Sequence, residues 1–383
     1  MTGSKTLIWE IQDRKYTAAW FSSNGRPTPT QLQVVDDTLS ASQALRLIRD
    51  GFSLLWTGDF QNCRHLLLAL ERRLQRKRSD GGPAKITTLN EKFWRHRAAQ
   101  AERAQILGAV LVEITAKGEV PLRRAPDVRT AWLEAAGVNA SAATHLISVR
   151  ELLGLVGAHE WRKKGLLIPA LGNKKLTPHF GVFAPVRSEY LDLLVQAPLN
   201  GAKIAFDIGT GTGVLAAILA SRGVAKVIAT DIDSRALVCA QSNIESLGLA
   251  QQIEICSADL FPSGKADLIV CNPPWLPLEP SSSLETAVYD PNSRMLKAFL
   301  AGVTSHLTPS GEAWLILSDL AERLGLRTET ELEVLFQISS LQVVGRLTCA
   351  PIHRKARDSS DPLYTARSAE IISLWRLKPL RDS

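Results

Sequence analysis

The chain has 383 residues, 45% of them apolar and 22% charged, with a formal net charge of +7. Its length exceeds the usual span of one hydrophobic core and predicts two domains of an ordinary soluble globular protein. No apolar run reaches the roughly 18 residues that a membrane-crossing helix needs, and MTGSKTLIWEIQDRK lacks the layout of a secretory signal, so no membrane partner and a cytoplasmic location are expected.

The five cysteines (Cys63, Cys239, Cys256, Cys271, Cys349) are scattered and include no CxxC pair, which argues against a disulfide framework and a zinc site. No metal is expected. A basic surface favours a nucleic-acid or ribosome-associated partner, because phosphate attraction is long-ranged and independent of sequence.

In chain order, residues 5 to 22 supply a strand or two, and a turn follows at Asn24 to Pro29. Leu39 to Arg49 has helical spacing with Ser40 as N-cap, and Asn62 to Arg78 reads as a longer helix ending in a basic run. SDGGP, from Ser79 to Pro83, breaks the chain. A second long helix is predicted over Asn90 to Glu113, with shorter ones near Pro126 to Ala136 and Ser141 to Val156. Leu167 to Arg187 reads as an extended connection. Residues 1–170 are therefore expected to form a mixed, mainly helical substrate-recognition domain, and residues 171–383 a catalytic one.

From Ala202 short β-rich runs alternate with helical segments: KIAFDI, GVLAAILASRG, KVIATDI, SRALVCAQSNIESLG, then IEIC, DLIVC and AWLILS. Such alternation predicts an α/β fold with a doubly wound, mostly parallel sheet. LQVVGRLTC and AEIISLWRL are expected to close it as an antiparallel hairpin with no helix between them. A cofactor belongs at the carboxyl ends of the first strands.

Asp207-Ile208-Gly209-Thr210-Gly211-Thr212-Gly213 follows a strand and opens a helix. Glycines let the backbone turn tightly and approach a ligand, although such a loop alone is shared by many nucleotide-binding proteins. Asp231, followed by Ile232, ends the second strand, where a carboxylate can accept from both ribose hydroxyls. Asp259, with Leu260 beside it, is placed to face an adenine amino group. The plainer alternative makes these acids loop or cap residues, a reading that suits Asp233 better, directly before Ser234. No Walker-type lysine follows the glycines, and the spacing is GxGxG after an acid, not GxGxxG. An acid beside the loop suits a cationic cofactor with an amino-acid tail, S-adenosyl-L-methionine.

Asn272-Pro273-Pro274-Trp275 stands after the fourth strand. The ring of Pro273 fixes the backbone so that its carbonyl can face outward, and the Asn272 oxygen adds a second acceptor. Together they can hold both hydrogens of a conjugated –NH2 group and expose its lone pair to a methyl sulfonium. Trp275 offers a flat face for a planar substrate. Catalysis of this kind is mainly positioning and electrostatic complementarity.

From about Gly181 to Leu377 the sequence resembles class I methyltransferases of the HemK/PrmC type, which methylate the glutamine amide of peptide-chain release factors. The resemblance implies a seven-stranded Rossmann-like methyltransferase sheet and a cofactor set of Asp207, Gly209 to Gly213, Asp231, Ile232, Asp259, Leu260 and Asn272. It matches Asn272 to Trp275 with that family's NPPY, Trp275 standing in place of Tyr, and GVFAPVRSEYLDLL, with Glu189, with its lead-in to the domain. NPPY-like turns also occur in enzymes acting on nucleobase amino groups, and GVFA resembles the ribosomal RNA guanine methyltransferases. Glu189, Tyr289 and Asp290 are the candidate substrate-binding residues.

The expected activity is methyl transfer to a planar nitrogen of a macromolecular acceptor, with a protein glutamine amide placed first. A base amine of rRNA, tRNA or DNA, a small-molecule amine, and a non-catalytic RNA-binding relic are the alternatives. Arg72, Arg73, Arg76, Lys77 and Arg78, and Lys92, Arg95, His96, Arg97 and Arg103 with Phe93 and Trp94, keep RNA in view. His159, His179 and His306 form no spaced metal cluster and are read as structural.

Overall fold

A computed structural model describes residues 6–11, 13–79, 88–137, 143–280, 285 and 287–380. The chain divides into two units, Met1–Thr87 with Trp94–Glu160, and Thr88–Phe93 with Trp161–Ser383.

The first unit is built on strands β1 (Thr6–Ile11), β2 (Arg14–Trp20), β3 (Leu32–Val35), β4 (Ser53–Trp56), β5 (Val110–Ile114) and β6 (His145–Ser148). They form one six-stranded sheet in the order β1-β2-β6-β5-β4-β3. Helices α1 (Ala41–Arg49), α2 (Phe60–Ser79), α3 (Leu89–Gly108) and α4 (Arg129–Ala136) lie between them in the chain, and α5 (Val149–Lys164) follows β6. Ser40 caps α1 in a capping box: its hydroxyl accepts from the Gln43 amide, and its own amide donates to the Gln43 side chain.

Three expectations change here. The mixed, mainly helical first half carries a six-stranded sheet in which only β1 and β2 match the strand or two expected over residues 5 to 22; the other four are four or five residues long and show too little alternation to stand apart from loop. The helix expected to reach Glu113 stops at Gly108, and Val110–Ile114 is a strand. Its run VLVEI is β-branched and almost wholly buried, as in a central strand covered on both faces. Likewise α5 begins after β6, later than expected. Residues 80–83 of the predicted break and 141–142 of that helix lie outside the described residues, as do the side chains of Arg76, Lys77 and Arg78.

In the second unit, β7 (Leu166–Ile168) and β8 (Lys174–Leu176) form a small hairpin, followed by α6 (Glu189–Gln196). This corrects the extended connection expected over Leu167 to Arg187. Ile168, Leu171 and Leu176 are buried in the unit's core, so the segment belongs to this unit and the division falls ahead of residue 170.

The main sheet contains β9 (Ile204–Ile208), β10 (Lys226–Asp231), β11 (Ile253–Ser257), β12 (Ala266–Cys271), β13 (Leu307–Ser318), β14 (Leu341–Cys349) and β15 (Ile372–Pro379), in the order β11-β10-β9-β12-β13-β15-β14. The first five are parallel, and β15 runs antiparallel between β13 and β14. Helices α7 (Val214–Ser221), α8 (Ser234–Ser246), α9 (Arg294–His306), α10 (Leu320–Arg323) and α11 (Glu331–Ile338) accompany the strands. Two short helices, α12 (Arg354–Arg357) and α13 (Tyr364–Ser368), lie between β14 and β15, where a direct hairpin was expected.

Alternate residues of each strand enter different cores, as the period of two requires. Ala205, Val270, Trp314 and Ile316 pack with the apolar run Val214–Ala220 of α7, whereas Phe206, Ile208, Ile269 and Leu315 pack with α9 and α11. Burial on both faces ties the strand ends into one rigid rim. Among the described residues, no helix is long and apolar enough to cross a membrane.

Candidate active site

Strand register brings the sequence motifs together. Ile208 pairs with Thr230 on one side and with Cys271 on the other, so Gly209, Asp231 and Asn272 leave the sheet at the same level. Asp231 pairs with Ser257, which places Asp259 just beyond the same rim. At the usual strand spacing, Asp231 and Asn272 flank the glycine loop about 10 Å apart.

The loop is fixed from beneath. Asp207 is fully buried, and its Oδ2 accepts from the Thr210 hydroxyl at 2.7 Å and the Ala216 amide at 3.0 Å. Its Oδ1 is buried without a hydrogen-bond partner. Burial, only partly offset by those two bonds, pushes the carboxyl up to about 6. Gly209 has φ +71, a left-handed conformation that favours glycine, and a Cβ there would displace the flexible end of Met295, whose Cε lies 2.7 Å away.

Asn243, on α8, holds the other end of the loop. Its Nδ2 donates to the Thr212 carbonyl at 3.0 Å, while its Oδ1 accepts from the Thr177 amide and hydroxyl. The sequence reading missed this residue. The available signal was a polar side chain at helical spacing from Ala236, Cys239 and Ala240 on a buried face.

Asp231 is half-buried, accepting from the Gly211 amide at 3.0 Å and the Asp233 amide at 2.9 Å. Desolvation raises its pKa despite these bonds. Asp233 caps α8 through the Arg235 amide, as its place before Ser234 implied. Ile232 is 70% exposed between the two acids, an apolar side chain open to a flat ligand. Asp259 is exposed and 4.0 Å from Arg294, a separation worth little at a surface. Leu260 has φ +74, and its carbonyl accepts from Thr230 Oγ1 at 2.6 Å, which offsets an unfavourable backbone.

At the end of β12, the Trp275 indole Nε1 donates to Asn272 Oδ1 at 2.9 Å. An indole N–H is a donor only, so this bond sets which way the carboxamide points. Pro273 is buried and Pro274 half-buried. Trp275 is not the open platform the sequence reading expected. It packs against both cores, stands edge-on to Tyr190 at 6.5 Å, and carries the Arg187 guanidinium over its ring at 5.0 Å.

The candidate substrate residues are dispersed. Glu189 is buried, and its Oε1 accepts from Arg187 Nε at 3.2 Å. Asp290 uses both oxygens on the Met295 and Leu296 amides, at 2.9 and 3.1 Å, so it caps the start of α9 and is not presented to a substrate. Tyr289 packs among Leu276, Leu324 and Leu363. This segment hydrogen-bonds back to the turn, with Leu276 N donating to Val288 O and Asp290 N to Leu276 O. His306 stacks on Phe261. Among the described residues, no group of three or more His, Cys, Asp or Glu could hold a metal.

A family model described as ribosomal protein L11 methyltransferase (PrmA) matches residues 189–273, from the start of α6 into the Asn-Pro turn. The chain is similar to the tRNA1(Val) (adenine(37)-N6)-methyltransferase of Shewanella halifaxensis, at 30% identity over 45% of this chain and 70% of the relative. It is similar to the protein of the same name from Shewanella loihica, again at 30% identity, over 52% of this chain and 85% of the relative. The chain belongs to the S-adenosylmethionine-dependent methyltransferases.

This methyltransferase is also 33% identical to the release factor glutamine methyltransferase of Cereibacter sphaeroides, over 33% of its own length and 50% of that relative. A crystal structure of ribosomal protein L11 methylase from Lactobacillus delbrueckii subsp. bulgaricus covers 55% of the methyltransferase and 87% of its own chain, at 18% identity and a TM-score of 0.39. The orphaned buried Oδ1 of Asp207, beneath a turn with positive φ at Gly209, Gly211 and Gly213, fits a ligand with a cationic amino-acid end.

Proposed function

We propose that the methyltransferase acts on the exocyclic amine of a nucleobase in a structured RNA. The carrying observation is the Asn272 carboxamide, which directly follows β12 level with the glycine loop and is oriented by the Trp275 indole. Two of the similar proteins are named as tRNA adenine-N6 methyltransferases, and the +7 charge favours a polyanionic acceptor. The protein glutamine amide placed first in the sequence reading is the second reading, supported by the Cereibacter relative.

In this reading Asp207 faces the amino-acid end of the cofactor, Asp231 the ribose, and Ile232, Asp259 and Leu260 the adenine. Bound S-adenosylmethionine supplies an electrophilic methyl group on a sulfonium. Asn272 Oδ1 keeps one lone pair beyond the indole bond. That lone pair and the Pro273 carbonyl accept the two N–H groups of the acceptor amine, which turns its nitrogen lone pair out of conjugation and towards the methyl carbon. The N–C bond forms as the S–C bond breaks, the bonding pair stays on sulfur, and the amine releases one proton to solvent. No strong base is needed before attack, so the contribution is positioning and preorganised acceptors.

The test is transfer of labelled methyl groups to unmodified tRNA transcripts, ribosomal RNA and release factors, followed by nucleoside and peptide mass spectrometry. Label on a base amine supports the proposal. Label confined to a release-factor glutamine overturns it in favour of the second reading.

A further inference from the structure

Arg187, between β8 and α6, had no place in the sequence reading. Its guanidinium is gripped from two directions: Nε donates to Glu189 Oε1 at 3.2 Å and Nη2 to Glu370 Oε1 at 3.0 Å. Both carboxylates are buried, and Ser318 Oγ donates to the same Glu370 oxygen at 2.6 Å. These partners come from separate elements: Glu189 opens α6, Ser318 ends β13 and Glu370 precedes β15. Two buried carboxylates require a cation, and a guanidinium fork suits this site better than an ammonium, because two of its nitrogens reach the two acids at once.

The guanidinium lies over Trp275, with Cζ 5.0 Å from the ring centroid. Tyr190 closes the edge at 84° to the indole plane. A cation over the ring is attracted to its negative face and draws electron density from the indole N–H, the group that donates to Asn272 Oδ1. The contacts thus form one chain from two buried acids through Arg187 and Trp275 to the carboxamide.

We propose that Arg187 is a positioning residue for methyl transfer, clamped by Glu189 and Glu370 so that it holds Trp275, and through Trp275 the Asn272 carboxamide, in one orientation. This rests on reading Asn272 as the group that holds the acceptor nitrogen. Trp275 then serves as a relay inside the protein.

The test uses full-length protein carrying 15N-labelled tryptophan. The chain has nine tryptophans, and Trp275→Phe identifies the Trp275 indole signal by its loss. Arg187→Lys keeps a positive charge but lacks the fork that reaches both acids from over the ring. It is expected to move that indole signal towards the position of an unbonded N–H. With an unmodified tRNA transcript as acceptor, it should lower kcat roughly tenfold, because small misplacements of a reacting group are costly, and leave cofactor affinity within about twofold. In the Trp275→Phe background the same substitution should have no further effect on kcat, since the relay is already broken.

An unmoved indole signal, or effects of Arg187→Lys and Trp275→Phe that multiply independently, would overturn the proposal. Should Arg187→Lys lower the melting temperature, Glu370→Gln repeats the experiment, since it keeps an acceptor for Ser318 and Arg187 while removing one charge from the clamp. If no RNA accepts methyl from the wild type, the functional reading fails, while the indole signal still decides the clamp.

Discussion

The Thr210 hydroxyl donates to Asp207 Oδ2 at 2.7 Å, at the base of a loop whose other acid, Asp231, takes the Gly211 amide at 3.0 Å. Two carboxylates thus brace one glycine turn from opposite sides. One of them is fully buried with an oxygen left over.

That arrangement makes stability and cofactor binding depend on pH in opposite senses. Burial raises the Asp207 carboxyl from an ordinary 3.8 to about 6. The folded protein therefore holds this proton more tightly than the unfolded chain, and the associated stability is present below about pH 4 and lost as pH rises through 6. A rise of about two units corresponds to on the order of 3 kcal/mol. Asp207→Asn should therefore raise the urea midpoint of the cofactor-free protein at pH 8 but not at pH 4. The same variant should lose most of its cofactor affinity. For the wild type, calorimetry at pH 6 in buffers of different ionisation enthalpy should show proton release on cofactor binding.

Asp231→Ala should weaken S-adenosylmethionine binding by about 10- to 100-fold, the worth of charge-assisted hydrogen bonds to two hydroxyls. Asp231→Asn, which keeps one acceptor, should fall between. Isothermal titration reads both, and equal affinity in all three proteins would remove Asp231 from the cofactor site.

Asn243→Leu removes four hydrogen bonds, one of them to Cys239 Sγ, and leaves the Thr177 amide and the Thr212 carbonyl unsatisfied. The expected cost is about 2–4 kcal/mol, since each stranded buried group carries its own desolvation penalty. Thermal denaturation should show it, with cofactor affinity falling as the loop loses its anchor. A variant as stable as the wild type would mean that Asn243 is dispensable to the loop.

The second unit could be read from sequence where local chemistry dictated backbone. The glycine loop requires positive φ at Gly209, Gly211 and Gly213, and β14 spans Leu341–Cys349, the run identified as LQVVGRLTC. Asp233 as a cap was legible for the same local reason. The first unit was harder, because β4 is four residues long and the pattern of β5 continues that of the helix before it. The site's supports were hidden by distance: Arg187 and Glu370 lie 183 positions apart, and nothing in either neighbourhood announces the pair. Asp290 was misread because an acid in a loop after a motif looks the same whether it meets a substrate or caps the next helix. Trp275 was misread because a sequence cannot show that Arg187 covers its face.

The most direct test of the account is methyl transfer by Asn272→Ala, followed alongside cofactor binding. The substitution removes the acceptor oxygen while leaving Asp207, Asp231 and the glycine loop in place, so titration should give a cofactor affinity close to that of the wild type. Labelled-methyl transfer to an RNA accepted by the wild type should fall by about two or more orders of magnitude, as when a preorganised polar group is removed from a reacting centre. Transfer at the wild-type rate would contradict the assignment of Asn272 as the group that holds the acceptor nitrogen.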